Sequence, residues 1–176
     1  MENTQKSNTL IFDAHGFLQP VSANIIVLQG EPIQALKDWA NVQILSNEHR
    51  NTIWQEFITY NASLMKIIGD FRVNKTEQWL NGSFVTLKKE PNDLDLVSFI
   101  EKGVATKFKH EIITLNQRND MTTIDDYFVE TVEKNEKEYA IYLSDRAYWY
   151  DFFSKTKRNL RTNRQFHKGF LNFKYI

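Results

Sequence analysis

Apolar residues recur at helical spacing in one long segment of the chain. From about residue 48 to residue 68 they return every three or four positions, which is typical of an amphipathic helix packed on a core. Asn47 is a candidate N-cap, and Gly69 is a natural stop. The stripe consists of Ile53, Trp54, Phe57, Ile58, Leu64, Met65, Ile67 and Ile68.

Shorter apolar and β-branched runs predict strands. We expect them at about residues 78–80, 93–100, 121–131 and 169–175. Residues 101–117 mix apolar and charged positions, as in a helix or a helix followed by a loop. Together these elements predict an α/β fold in the α+β sense, with a small mixed β-sheet flanked by helices.

The beginning of the chain has a weaker pattern. Residues 10–12 and 25–28 are predicted as short extended pieces of an N-terminal arm. Pro32 is expected in the first turn of a short helix. One face of that helix would carry Ala35, Leu36 and Trp39.

The last part of the chain changes composition twice. Residues 138–154 are crowded with aromatic side chains, and Ser144 is a candidate N-cap for a helix over their second half. These rings are expected mostly in the core, with base stacking as the alternative. From Lys155 onward there are seven basic residues and no acidic one. Arg158, Arg161 and Arg164 recur every three residues, as on one helix face, which would be either solvated or a patch for a triphosphate or nucleic-acid strand.

A chain of 176 residues can bury one sizeable core. We therefore predict a single domain over residues 1–176, divided into an arm (1–45), a catalytic core (46–135) and an aromatic helix with a basic tail (136–176). The 22 basic and 22 acidic residues balance, which argues against a dedicated duplex-DNA binder.

Several classes of protein are disfavoured by what the sequence lacks. It has no cysteine, hence no disulfide framework and no thiolate chemistry. The four histidines are scattered without metal-ligand spacing, so a zinc site is not expected. No signal peptide and no long apolar run is visible, so we expect a cytoplasmic protein without membrane insertion.

Candidate chemistry begins with Asp93 and Asp95. On a strand these carboxylates share a face, about 6 to 7 Å apart, and they repel each other unless a cation lies between them. Asp125, on the next predicted strand, is the best third ligand, while Asp126 would face the opposite side. An all-oxygen site of this kind suits magnesium, or manganese.

Gly82 and Ser83 supply a turn ten residues before Asp93. Glycine lets the backbone approach a phosphate closely, and N–H groups with a serine hydroxyl can bind phosphate oxygens. Lys88 and Lys89 follow, where they would offset triphosphate charge. A β-hairpin turn at Asn81-Gly82 is the alternative, with the Asp-Leu-Asp motif as ordinary turn and surface residues.

The Gly-Ser turn, the ten-residue step and Asp-hydrophobic-Asp resemble the signature of the DNA polymerase β-type nucleotidyltransferase superfamily. In its small members a later strand reading hydrophobic-Asp supplies a third carboxylate, as Ile124-Asp125 does here. The resemblance implies the nucleotidyltransferase fold, with Gly82 and Ser83 binding the triphosphate of a (d)NTP. It also implies that Asp93, Asp95 and Asp125 bind magnesium.

Three further stretches are similar to bacterial nucleotidyltransferase-like proteins found in antiphage defence or in toxin–antitoxin pairs. The first is Trp-Leu-Asn-Gly-Ser-Phe-Val-Thr with Glu-Pro-Asn-Asp-Leu-Asp-Leu-Val, the second is Asp-Asp-Tyr-Phe-Val, and the third is Ser-Asp-Arg-Ala-Tyr-Trp with the later Lys-Gly-Phe-Leu. The likeness runs over about residues 78–175. One feature departs from the superfamily pattern. Phe84, Val85 and Thr86 stand where many small members carry an arginine, so Lys88, Lys89 or the basic tail would have to replace its phosphate contact.

The resemblance implies template-independent transfer of a nucleoside monophosphate to an acceptor hydroxyl, making short oligonucleotides in antiviral defence. Two alternatives stay open. The acceptor could be a partner protein or a tRNA, as in nucleotidylation (for example AMPylation) within a toxin–antitoxin pair. The chain could instead be an inactive module that binds ATP, another nucleotide or a partner. Expected partners are thus a (d)NTP, a single-stranded nucleic acid as product or acceptor, and a cognate effector or toxin protein.

Overall fold

The computed structural model describes residues 11–20, 24–27, 48–117 and 123–175. The predicted helix after Pro32, the candidate cap Asn47 and the first two residues of the strand predicted at 121–131 lie outside the described residues. The described helices, strands and 3-10 turn are, in chain order, β1 (Asn24–Val27), α1 (Glu48–Ile68), β2 (Glu77–Leu80), the 3-10 turn (Ser83–Val85), β3 (Leu94–Glu101), α2 (Lys102–Lys107), α3 (Lys109–Asn116), β4 (Ile124–Thr131), α4 (Tyr139–Phe153) and β5 (Leu171–Tyr175).

The five strands form one mixed sheet in the order β1-β5-β2-β3-β4. β3 and β4 are parallel, and so are β1 and β5, while β2 is antiparallel to both of its neighbours. The α2–α3 crossover carries the chain from the end of β3 back to the start of β4, as a parallel pair requires. The prediction of a mixed sheet flanked by helices is confirmed. Residues 24–27, predicted as a piece of the arm, form an edge strand of this sheet.

Helix α1 covers one face of the sheet, with the bounds and the apolar stripe that the sequence predicts. It is followed by Gly69, whose φ of 88° few other residues adopt without strain, and whose N–H donates to the carbonyl of Met65. Strand β3 sends Leu94, Leu96 and Ile100 into this core. Its alternate residues therefore point to the opposite face, and Asp95 lies among them.

Helix α4 covers that opposite face. Phe153 at its end packs with Val97 and Phe99 of β3 in a second, smaller core. Arg146 donates to both carboxylate oxygens of Glu77 at 2.9 and 3.0 Å. Its guanidinium also lies 4.7 Å from the Trp79 ring centroid, so a charged side chain anchors the helix to β2.

The predicted beginning of α4 was wrong. The helix starts at Tyr139 rather than near Ser144, and Glu138 at its N-cap makes no side-chain capping bond. Packing explains the difference. Tyr142, Arg146, Trp149 and Phe153 lie at helical spacing on the face toward the sheet, so burial begins before Ser144.

The prediction that the aromatic side chains of α4 are mostly core was also wrong. Phe153 is the only residue of this helix that is fully buried. Tyr148 is 60% exposed, Tyr150 57% and Phe152 47%. The aromatic side chains of this segment therefore lie partly on the surface and partly in the core.

The basic segment after α4 is not helical, so its arginines do not share a helix face. Residues 154–168 instead run out and back as an irregular antiparallel hairpin, which we call the basic hairpin. The N–H of Lys168 donates to the carbonyl of Ser154, and that of Thr156 to the carbonyl of Phe166, both at 2.9 Å. A turn at Asn159–Asn163 reverses the chain, with Asn163 at a φ of 55°.

Of the helices in the described part of the chain, none combines the length and the apolar character that crossing a bilayer requires.

Candidate active site

Three carboxylates converge at the amino ends of β3 and β4. Asp95 and Asp125 are direct partners in the parallel register of these strands, and Asp93 immediately precedes β3. One carboxylate oxygen of each lies within 4.8 Å of the others. Asp93 and Asp95 are half-buried and Asp125 is exposed, so the cluster opens to solvent on the β4 side.

Asp126 takes no part in this cluster, as strand alternation predicts. Its Oδ2 accepts a 3.0 Å hydrogen bond from the Tyr60 hydroxyl on the α1 side of the sheet. Burial raises the pKa of the Asp126 carboxyl. Two adjacent aspartates of β4 thus serve different faces.

Asp95 is the aspartate of this cluster whose ionised form is most disfavoured by its surroundings. Burial, and then the negative charges of Asp93 and Asp125, raise its pKa from 3.8 to about 6. A cation bound among the three would remove that repulsion. Three aspartates offering only oxygen atoms at this spacing fit a hard divalent ion such as magnesium or manganese, which would be held by these carboxylates.

Asp93 is stabilised as an anion by Ser83. The Ser83 backbone N–H donates to Asp93 Oδ1 at 2.9 Å, and the Ser83 hydroxyl donates to the same oxygen at 2.7 Å. Although burial opposes ionisation, these bonds hold the pKa of Asp93 below its usual range. The Ser83 hydroxyl also accepts from the N–H of Asn92 at 2.8 Å, so it ties both ends of the 83–93 loop together.

This arrangement bears on the predicted role of the Gly82-Ser83 turn. The two Ser83 donors that were expected to bind phosphate both contact Asp93 instead. The tight hairpin alternative does not occur either, because a 3-10 turn and a long loop connect β2 to β3. Ser83 orients a candidate metal ligand, and its phosphate contact stays a prediction.

Gly82 is required by the approach of two backbone segments. Its φ is 80°, and a Cβ atom there would lie 2.8 Å from the Asp93 carbonyl oxygen and 2.9 Å from the Asp95 nitrogen. Only glycine therefore lets the turn lie against the start of β3. The bond from the Asn81 N–H to the Asp95 carbonyl, 2.8 Å, closes the same contact.

A cleft of about 860 Å³ opens over the carboxylates, within the usual size range of ligand pockets. Cationic side chains line it together with the acidic cluster: Lys88, Lys155, Lys157, Arg158 and Lys168. Of the two lysines predicted to offset triphosphate charge, Lys88 lies in this lining, but Lys89 does not.

Lys168 is the most buried of these cations, at 8% exposed. Burial lowers its pKa, against the opposing attraction of Asp95 and Asp93. Lys157 also acts on both aspartates and favours their ionised forms. The basic hairpin thus brings positive charge to the cleft, where the basic tail was one of the candidates, with Lys88 and Lys89, to replace the missing arginine after Ser83.

Aromatic rings form two walls of the cleft. On one side are His15 and Phe17, packed on Phe166 with ring centroids 4.6 and 6.0 Å away. On the other are Tyr127 and Phe152. Tyr127 follows Asp125 by two strand positions, so it shares the face of the acidic cluster.

Asn81 adds an unpaired polar group to the lining. Its side chain is only 3% exposed, and its Oδ1 has no hydrogen-bond partner among the described residues. A buried amide oxygen without a partner is costly, so this position favours a ligand or water that donates to it.

Arg50 of α1 holds the loop that carries this turn. Its guanidinium is buried and donates to the carbonyls of Phe84 at 2.6 Å and Thr86 at 2.7 Å, and to that of Lys88. Burial lowers the pKa of this guanidinium, but an arginine stays charged in proteins. Arg50 therefore holds the loop through its backbone carbonyl groups.

Sequence reasoning missed Tyr127, Asn81 and Arg50. The first could have been found from strand alternation, because it stands two residues after Asp125. Asn81 directly precedes the predicted turn. Arg50 carries no local signal, since its partners lie more than thirty residues away.

The arrangement combines an anionic centre able to bind a cation, cationic groups able to bind phosphate, and ring walls suited to a heterocycle. Of the five cations, Lys155 is already paired with Asp151. These are the features that a nucleoside triphosphate with a divalent ion requires.

Comparisons with known proteins give the chain a family. Neither the curated proteins nor the solved structures provide a match to it. One family model does match, over residues 12–174, and it is described as a family of unknown function (DUF6932). Because that match covers nearly the whole sequence, the chain belongs to the DUF6932 family.

Proposed function

We propose that this protein is a nucleotidyltransferase of the polymerase β type, which transfers a nucleoside monophosphate from a (d)NTP to an acceptor hydroxyl without a template. The carrying observation is the convergence of Asp93, Asp95 and Asp125 in a cleft that the lysines of the basic hairpin also line. The nucleotidyltransferase fold is part of this proposal. The mixed sheet, with two carboxylates at adjacent strand starts, supports it.

Different residues of the cleft would bind the triphosphate and face the acceptor. Lys88, Lys157 and Lys168 would bind the triphosphate oxygens and lower the charge at phosphorus. The acceptor oxygen would attack the α-phosphorus as the bond to the bridging oxygen breaks, releasing pyrophosphate. Asp125 is the most exposed of the three aspartates, so it faces the side from which an acceptor would approach.

Asp93, Asp95 and Asp125 would hold the metal. When bound, magnesium would supply Lewis-acid activation of the acceptor hydroxyl and charge neutralisation at the leaving pyrophosphate. Ser83 would keep Asp93 ionised and oriented for this role, as groups that hydrogen-bond to metal ligands commonly do. The ring walls would exclude water from the base side of the nucleotide.

The decisive experiment is incorporation of labelled nucleotide. Purified protein is incubated with each NTP and dNTP and magnesium, with and without RNA, DNA or a candidate protein, and the products are resolved on a gel. Incorporation by wild type should be lost in Asp95→Asn and Asp125→Asn. Asp126→Asn is the matched control, because it changes the next carboxylate of β4 on the opposite face and leaves an acceptor for Tyr60. Absence of incorporation under every condition, or equal incorporation in all variants, would overturn the proposal.

A second candidate is nucleotide binding without transfer. The observation that favours it is the engagement of both Ser83 donors by Asp93, which leaves the phosphates to the lysines. Under this alternative, wild type binds a labelled NTP with magnesium at equilibrium but yields no new covalent product.

A further inference from the structure

The exposed aromatic rings beside the cleft form a surface whose side chains are held in place by packing. Tyr127, Tyr148 and Phe152, which we call the aromatic platform, are 45%, 60% and 47% exposed. Each ring lies against the half-buried Trp149, with centroids 4.5, 5.3 and 5.8 Å away. Three solvent-facing rings are thus held in place by a fourth, so little freedom is lost when a flat ligand packs on them.

The orientation of the rings suits planar ligands. The rings of Tyr148 and Phe152 are nearly parallel, at 13°, with centroids 6.1 Å apart. They lie one helical turn apart on α4 and on the same side of the helix. Tyr127 and Phe152 also line the cleft, so the platform is continuous with the candidate active site.

Positive charge runs alongside. The basic hairpin carries Lys155, Lys157 and Lys168 at its base and Arg158, Arg161 and Arg164 toward its tip, with no acidic residue between positions 155 and 168. Lys155, Lys157, Arg158 and Lys168 line the cleft, while Arg161 and Arg164 are exposed. A basic track beside stacking faces is the combination that binds single-stranded nucleic acid.

We infer that the aromatic platform and the basic hairpin together bind a single-stranded nucleic acid, whose end enters the cleft as the acceptor. The cations of the basic hairpin favour a polyanion, and the exposed faces of the aromatic platform favour one whose bases are unpaired and free to stack. A duplex, whose bases are stacked internally, would gain only from the charges. The role of the strand as acceptor rests on the proposed function, but its binding to this surface does not.

The test is fluorescence anisotropy with a labelled oligonucleotide of about ten nucleotides, in EDTA and without nucleotide. Wild type should bind the single strand more tightly than the matching duplex and more tightly than an abasic strand of equal length. Tyr148→Ala and Phe152→Ala should each weaken binding by about five- to a hundredfold, while Tyr148→Phe keeps the ring and the affinity. Ile141→Ala, an exposed apolar residue on the same helix, is the control and should match wild type.

The charges are tested separately by salt. Arg161→Ala and Arg164→Ala should each reduce the dependence of log Kd on log salt by about 0.7, since each removes one phosphate contact. Equal affinity for the abasic and intact strands, no effect of the ring substitutions, or no binding at low salt would overturn the inference. Asp125→Asn should bind the strand at least as tightly as wild type, so failure of transfer and failure of binding are distinguishable.

Discussion

The Ser83 hydroxyl donates a 2.7 Å hydrogen bond to Oδ1 of Asp93 across a ten-residue loop. The Gly-Ser turn and the first aspartate are therefore one unit before any ligand arrives. Ser83 contacts a candidate metal ligand rather than open solvent, which makes its substitution informative.

Ser83→Ala should weaken magnesium binding by about tenfold, the low end of the range for losing a group that hydrogen-bonds to a metal ligand. The pKa of Asp93 should rise toward its usual range, because one of the two bonds that favour its ionised form disappears. Calorimetric titration with magnesium measures the affinity. Ser63→Ala, which removes a hydroxyl bonded within α1, should bind the ion as wild type does. An unchanged affinity in Ser83→Ala would show that Asp93 needs no orienting partner.

Asp95→Asn should stabilise the metal-free protein at neutral pH. The pKa of Asp95 is raised from 3.8 to about 6, so the folded state binds this proton more tightly than the unfolded chain does. The stabilisation of the fold by protonated Asp95 is fully present below about pH 4 and is lost as the pH rises through about 6. Ionised Asp95 then costs about 2 to 3 kcal/mol, which asparagine avoids.

Urea unfolding in EDTA across this pH range measures the effect. The advantage of Asp95→Asn should grow from near zero at about pH 4 to about 2 to 3 kcal/mol at about pH 7. Saturating magnesium should reverse the order, because only wild type gains from the ion. Asp145→Asn, at an exposed position of α4, is the control. If the stability difference did not change with pH, the titration of Asp95 could not be its cause.

Arg50→Ala should destabilise the fold by about 3 kcal/mol or more, because carbonyls in the 84–88 loop lose a charged donor. Arg72→Ala is the matched control. Its ion pair with Asp70 is exposed, and such pairs contribute little to stability because solvent screens them. Urea denaturation of both variants gives the comparison. Similar losses in the two would mean that the buried contacts of Arg50 add nothing beyond an ordinary surface pair.

Gly82→Ala should cost about 2 kcal/mol or more, since alanine at a φ of 80° is strained and its Cβ meets backbone atoms that cannot easily move. Gly103→Ala is the contrasting change. The atoms nearest to its Cβ would be those of the Glu101 carboxylate, at the end of a flexible side chain, and alanine favours the helix in which it stands. Thermal unfolding should show a large fall in Tm for the first variant and little change for the second. Magnesium affinity should fall in the first as well, because Asp93 and Asp95 flank the contact.

The sequence predicted those features of the site that depend on residues close together in the chain. The shared face of Asp93 and Asp95, with Leu94 and Leu96 turned to the core, follows from strand alternation and was predicted correctly. The division between Asp125 and Asp126 follows from the same rule. Both need only neighbouring residues.

Features set by tertiary packing were less accessible. The direct pairing of Asp95 with Asp125 depends on the register between β3 and β4, which the pattern of neither strand alone determines. Lys168 enters the cleft through the backbone bonds of a hairpin that has no hydrophobic periodicity. At α4, the capping preference of Ser144 was outweighed by the burial of Tyr142 and its helical neighbours on the sheet.

The position of β5 has a consequence for how the molecule is made. It lies between β1 and β2, although it is the latest of the five strands in chain order. During synthesis β1 lacks its partner in this sheet, and one edge of β2 stays open, until Leu171–Tyr175 has left the ribosome. Closure then depends on contacts between distant parts of the chain, which form slowly and leave open edges exposed to aggregation. Lys168, just ahead of β5, reaches the aspartates in the same event. Under the proposed function, the cleft is therefore completed only when β5 has docked between β1 and β2.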